Sequence, residues 1–239
     1  MQNAIRRKNL LVMADKVVSR ARDARRAGEG EAIVAWCQRN ESSIDEFARD
    51  LEANLWQEAL TFAEEFAARG KEILGTVPVR LGGPGAFHLL YFLTRLRRPK
   101  VVVETGVAAG WSSSAFLQAL KVNGDGGQLY SSDFPYFRQN EPEKNIGILV
   151  DDNLRSNWHL YVDGDKINLP RILREVERVD MFHYDSDKTY SGREFGLKSL
   201  TPKLSSDGVV IFDDIQLNAH FKDRATRVNQ RYYVFHYGS

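Results

Sequence analysis

Cysteine is almost missing: Cys37 stands alone in 239 residues. No internal disulfide can form, so the chain reads as suited to a reducing compartment, and a cytoplasmic location is expected. Cys37 closes an apolar run, AIVAWC, which suits a small core residue better than a nucleophile. A charge excess is missing too, since 33 basic residues face 32 acidic ones. Binding to a phosphate backbone draws on a clear basic surplus, so no nucleic-acid partner is expected. No apolar run approaches the ~18 residues of a membrane span. Arg6, Arg7 and Lys8 precede only LLVMA, too short for the apolar part of a signal peptide. Internal repeats and low-complexity stretches are also lacking. What is present, 43% apolar residues, is enough to fill the core of an α/β domain with a helical appendage.

The first part of the chain reads as helical. Leu10, Met13, Val17 and Ala21 recur at helical spacing within residues 1–27 and predict an amphipathic helix with a basic face, punctuated by Gly28 and Gly30. Ser43 followed by Glu46 forms a capping pattern at the head of a helix over 42–69, with Gly70 placed to end it. Residues 80–85, RLGGPG, form a loop, and Ala86 to Arg97 a further helix that Pro99 stops. Residues 1–79 are therefore expected to form an N-terminal helical region, and 80–239 a ligand-binding domain.

From Lys100 the texture changes. VVVET (101–105), QLYSS (128–132), HLYV (159–162), VDMFHY (179–184) and VVIF (209–212) read as strands. Helical patterns fit after the first strand, as WSSSAFLQALKV, and at 146–155, 170–177 and 191–204. Near-continuous apolar strands alternating with helices predict a doubly wound, mostly parallel, Rossmann-like sheet covered on both faces. After Asp214 only a helix near 217–229 and a strand at 232–237 can be found. Either the chain is cut short there, or the sheet edge is completed differently, by the N-terminal region or by a partner copy in a homodimer.

Ligands of such sheets bind beyond the carboxyl ends of the strands. The first end reads Glu104-Thr105-Gly106-Val107-Ala108-Ala109-Gly110, followed by Trp111 and Ser112. A dinucleotide fingerprint needs glycine where Ala108 and Trp111 stand, so an NAD enzyme is disfavoured. The second strand ends at Asp133, placed to accept ribose hydroxyls. After the third come Gly164 and Asp165, whose carboxylate can accept an amine. The fourth ends in Asp185-Ser186-Asp187-Lys188 and the fifth in Asp213-Asp214. If those two strands are neighbours, Asp185, Asp213 and Asp214 can share one cation. An all-oxygen set favours Mg²⁺, or Mn²⁺, over zinc. Bound metal would acidify an acceptor hydroxyl, and Lys188 or Asp187 beside it could take the proton.

These placements resemble the motifs of class I S-adenosylmethionine-dependent methyltransferases. The resemblance covers residues 80 to 225, most specifically FHYDSDKTYSGREFGLKSLTPKLSSDGVVIFDDIQLNAHF. It is nearest to the bacterial macrocin and sugar O-methyltransferase group. It implies S-adenosylmethionine as cofactor, held by Glu104, Gly106, Gly110, Ser112, Asp133, Gly164 and Asp165, with the glycine loop on the methionine part, Asp133 on the ribose and Asp165 on the adenine. It also implies a metal on Asp185, Asp213 and Asp214. The string D-S-D-K is similar to the D-x-D-K of caffeoyl-CoA and catechol O-methyltransferases, which points to Lys188 as base. The sugar enzymes point to Asp187 instead. The acceptor implied is a small-molecule hydroxyl, on a sugar or a phenol. A metal-independent methyltransferase and an inactive binding module of the same fold are the alternatives.

Overall fold

The structure is a computed structural model that describes residues 29–134 and 142–237. The helix predicted over residues 1–27, with Gly28, lies outside the described residues. The N-terminal region comprises α1 (Gly30–Asn40), a short strand β1 (Glu41–Ser42), α2 (Ile44–Gly75) and α3 (Phe87–Arg97). Strands and helices then alternate as β2 (Val101–Thr105), α4 (Trp111–Asn123), β3 (Gln128–Ser132), β4 (Trp158–Tyr161), α5 (Asp165–Glu175), β5 (Val179–Tyr184), α6 (Tyr190–Leu200), β6 (Leu204–Phe212), α7 (His220–Arg227) and β7 (Val234–Phe235).

Strands β2 to β6 form a parallel five-stranded sheet in the order β4-β3-β2-β5-β6. The chain starts at the centre, builds outward to one side, then crosses back to build the other. That reversal opens a crevice at the carboxyl ends of β2 and β5. Alternation along each strand explains the continuous apolar runs. Val102 and Met181 pack with Phe92, Phe116 and Leu117 on one face, while Val103 and Phe182 pack with Leu169, Ile172 and Leu200 on the other. Each such buried side chain contributes roughly 1.5–3 kcal/mol over its exposed state, so both helical layers are needed to hold the sheet.

Helix α2 begins as its capping pattern predicts, with Ser43 Oγ accepting the Glu46 N–H at 3.2 Å. It does not end at Gly70. Trp111 from the head of α4 stands directly on that residue, and a Cβ there would lie 2.2 Å from the indole. Phe66 and Phe87 pack on the same indole, with ring centres 5.0 and 5.4 Å away. The glycine makes room for a ring rather than stopping a helix. A Gly70→Val variant is therefore expected to lose about 1–3 kcal/mol to overpacking, more than the under ~1 kcal/mol it gains in helix propensity. Thermal unfolding checks this, and an unchanged or higher melting temperature would contradict it.

Other predicted elements shift. The helix expected at 146–155 is replaced by a crossing segment and a 3₁₀ turn, Asp152–Asn157. Gly147 and Leu149 donate their N–H groups to Ala108 O and Ala109 O, at 2.9 and 3.0 Å, so the helical bonds are not available to them. The helix expected at 170–177 starts earlier, at Asp165, and carries Pro170 inside. The strand expected at 232–237 shrinks to β7, which pairs in parallel with β1 in a separate two-stranded sheet. Its aromatic neighbours find partners on the N-terminal helices: Tyr232 stacks on Trp36 at 5.9 Å, and Phe47 packs against Tyr233 and Phe235 at 4.5 and 5.0 Å. N-terminal and C-terminal segments thus complete each other, and β6 forms the half-exposed edge of the main sheet among the described residues. No helix among the described residues is long and apolar enough to cross a membrane.

Candidate active site

Strand β2 delivers the chain into a tight loop at the reversal point. Gly106 turns at φ +85°, and its N–H extends the ladder to Ser132 O at 2.8 Å. A Cβ on Gly106 would lie 2.3 Å from the carbonyl oxygen of Asp185, so glycine lets the ends of β2 and β5 close up. Ala108 also has a left-handed backbone, φ +48°, a conformation a non-glycine residue adopts only when its surroundings enforce it. Gly110 holds the cap position of α4, and Ser112 lines the crevice. Glu104 is fully buried behind the loop, where Ser113 Oγ and Ser131 Oγ donate to its Oε2 at 2.6 and 2.8 Å. Its Oε1 lies 3.8 Å from Nδ1 of His183, itself buried. The structure thus sets Glu104 as a brace beneath the loop.

Asp133 reaches from the end of β3 to the same loop. Its Oδ2 accepts the N–H groups of Val107 and Ala108 at 3.2 and 2.8 Å, and its Oδ1 that of Phe134 at 2.6 Å. Burial pushes this carboxyl up to about 6, and the three N–H groups offset only part of that rise. Asp165, the first residue of α5, accepts from Ser132 Oγ at 2.6 Å and from Ser186 Oγ. Gly164 turns at φ +87° beside the ring of Phe134. Gly106, Ala108, Ser112, Asp133, Gly164 and Asp165 line one side of a single crevice. These groups fit S-adenosylmethionine. A half-buried carboxylate suits a pair of ribose hydroxyls, and it would repel the pyrophosphate of a dinucleotide from the amides it already holds.

The other side of the crevice is acidic. Asp185, Asp187, Asp213 and Asp214 line it together with Lys188. The neighbours β5 and β6 do bring Asp185, Asp213 and Asp214 to one place, as their spacing implied. The expected open cation cage is nevertheless not what they form. The ammonium of Lys188 donates to Asp185 Oδ1 and lies 3.1 Å from Asp214 Oδ2. Tyr237 donates to Asp213 Oδ1. Among the described residues no group of three or more His, Cys, Asp or Glu side chains is disposed to hold a metal ion. The Lys188 ammonium and the Tyr237 hydroxyl engage one oxygen of each carboxylate, Asp185 Oδ1, Asp214 Oδ2 and Asp213 Oδ1, and set a positive charge where Mg²⁺ or Mn²⁺ was expected, so the metal does not fit as expected from the sequence.

Burial lowers the Lys188 ammonium below the usual lysine value, while Asp214 and Asp213 pull it back up. Asp187 faces α6 instead: its Oδ1 accepts the Thr189 N–H at 3.1 Å. Thr189 caps that helix, accepting from Gly192 N–H at 3.1 Å. Beneath the cluster Arg193 is fully buried and donates from Nη2 to both Asp213 O and Asp214 O at 2.8 Å. It fastens Asp214 in a left-handed conformation, φ +51°. Sequence reading missed Arg193, Tyr237, Ser186 and the buried Asn168, whose Nδ2 lies 3.0 Å from both Ser132 Oγ and Tyr161 O. An arginine inside the otherwise mixed helix YSGREFGLKSL was the one available signal.

Residues 103–215 match a family described as methyltransferase domain. No curated protein sequence matches the chain. Among solved structures, it is similar to a methyltransferase from Geobacter sulfurreducens, with TM-score 0.51 and 20% identity over 69% of this chain and 80% of that one. It is similar also to cofactor-bound Rv0187 from MTB, with TM-score 0.51 and 13% identity over 72% and 79% of the two chains. At these identities the likeness speaks for the fold.

Proposed function

We propose that this chain, which carries a methyltransferase domain on the class I fold, moves a methyl group from S-adenosylmethionine to a hydroxyl oxygen of a small molecule. The observation that carries the reading is the crevice itself. Asp133, Asp165 and the Gly106 loop stand on one side and the charged cluster of Asp185, Asp187, Lys188, Asp213 and Asp214 on the other. When bound, S-adenosylmethionine supplies an electrophilic methyl group on a positively charged sulfur. Asp133 would accept the ribose hydroxyls and Asp165 the adenine amine. Gly106 and Ala108 let the amino-acid part approach the backbone. Glu104 and Gly110 support that loop from behind.

The acceptor hydroxyl must lose its proton as it attacks. Lys188 is engaged as a donor to Asp185 and Asp214. Asp187 also lines the crevice, and with Lys188 so engaged it is the base in this reading. Lys188 and Tyr237 hold the three aspartates in the place of Mg²⁺ or Mn²⁺. A sugar or phenolic hydroxyl is the acceptor class, and two copies could pair along the open edge of β6. The direct test uses methyl-labelled S-adenosylmethionine with a panel of sugar, phenol and amine acceptors. Label on an acceptor oxygen is expected. Cofactor binding with label only on nitrogen acceptors would overturn the assignment to oxygen.

The raised carboxyl of Asp133 gives a pH signature. Ribose hydroxyls bind the ionised form, so affinity for S-adenosylhomocysteine should rise as pH increases toward about 6 and level off above it. Below that point affinity falls up to about tenfold per pH unit. Stability runs the other way. The folded-state value lies above the unfolded one of 3.8, so this group's contribution is complete below about 4 and is lost as pH rises through about 6. Calorimetry of Asp133→Asn should show a flat pH profile. A native profile equally flat between pH 5 and 7 would contradict the role of Asp133.

A further inference from the structure

We propose that Lys188 supplies, from within the chain, the cation that the acidic end of the crevice requires, so that a divalent metal binds there only once this ammonium is removed. Gathered carboxylates need a positive charge or must give up their own. Asp185, Asp213 and Asp214 are three such groups at the ends of two adjacent strands. The structure provides for them without a metal. Lys188 bridges Asp185 and Asp214, the outer members of the set. Tyr237 donates to Asp213, which also accepts the Asp214 N–H at 2.8 Å. Arg193 lies beneath, fully buried, and adds a second fixed positive charge against the backbone of the same pair.

The lysine is held for this task by both ends. Its side chain reaches from the turn after β5, and its carbonyl accepts from the buried Asn218 Nδ2 at 2.7 Å. Asn218 also anchors the start of α7, where its Oδ1 accepts the His220 N–H at 3.0 Å. A dication on the same oxygens would share them with a fixed ammonium of like sign a few ångströms away. An ammonium is a compact point charge with three donors. Placed here it can neutralise two carboxylates and still present one N–H to an acceptor oxygen in the crevice. The inference deepens the reading of this crevice as a methyl-transfer site, and rests on it for its catalytic meaning.

The test measures ion binding alone. The full chain is freed of metal with a chelator, dialysed, and titrated with Mn²⁺, with free ion read from its electron paramagnetic resonance signal. Native protein and Lys188→Arg are expected to bind no stoichiometric Mn²⁺ up to about 1 mM. Lys188→Met, with folding confirmed by thermal melt, is expected to bind one Mn²⁺ at least about tenfold more tightly than native protein. Adding Asp213→Asn to it should abolish the gain. Should Lys188→Met not fold, Lys188→Gln takes its place. One Mn²⁺ bound by native protein as tightly as by the lysine variant would overturn the proposal, and so would a folded lysine variant with no gain. Calorimetry with S-adenosylhomocysteine on the same native sample reports separately on the cofactor reading, so failure of one is not mistaken for failure of the other.

Discussion

Gly106→Ala should be inactive and should lose about 3 kcal/mol or more of stability, the sum of a left-handed backbone and a steric overlap. The added Cβ would lie 2.3 Å from Asp185 O and 2.7 Å from its carbonyl carbon, both backbone atoms at the end of β5. Neither is a flexible tip that can swing aside. Relief must come from separating β2 from β5, and the bond from Asp185 N–H to Thr105 O at 2.9 Å would go with it. The crevice would widen where the sulfonium and the acidic cluster have to meet. Denaturant unfolding and cofactor calorimetry on the same variant check both halves. A stable Gly106→Ala protein that still binds S-adenosylhomocysteine would contradict the packing argument.

Asp187→Asn should cut kcat by roughly 10²–10⁴-fold, the usual loss when a general base is removed, with cofactor affinity unchanged. Asparagine keeps an oxygen for the Thr189 N–H, so the turn into α6 is preserved. The substitution removes only the ability to take a proton. Single-turnover rates against pH should lose their acidic limb in the variant. If Asp187→Asn turned over at the native rate, the proton would have to leave by another route, and Lys188 would return as base.

Much of the sheet could be read from the chain because its strands are apolar on both faces. VVVET and VDMFHY match β2 and β5 residue for residue. Their ends were informative for the same reason: in a parallel sheet every strand delivers its last residue to one side. Hence Asp133, Asp185, Asp213 and Asp214, with Asp165 just beyond β4, could be placed together from the chain alone. What could not be read is how side chains settle within that space. Lys188 stands three residues after Asp185, a spacing that suits a base and a counter-ion alike, and nothing in the chain shows that its ammonium reaches both Asp185 and Asp214. Tyr237 is more remote still. Its run reads as a sheet strand, yet Phe47 and Trp36 draw the neighbouring aromatics to the N-terminal helices, which aims Tyr237 at Asp213. Gly70 misled for a related reason: a helix end and a contact with Trp111 both call for glycine, and spacing alone does not separate them.

The methyl-transfer reading depends on a sulfonium cofactor lying against the Gly106 loop with its ribose on one carboxylate. Isothermal titration of S-adenosylhomocysteine into native protein and into Asp133→Ala at neutral pH tests that directly. The native chain should take up one equivalent, and the variant should lose at least about tenfold in affinity while staying folded. Equal affinity in the two proteins, or no uptake by the native chain, would contradict it.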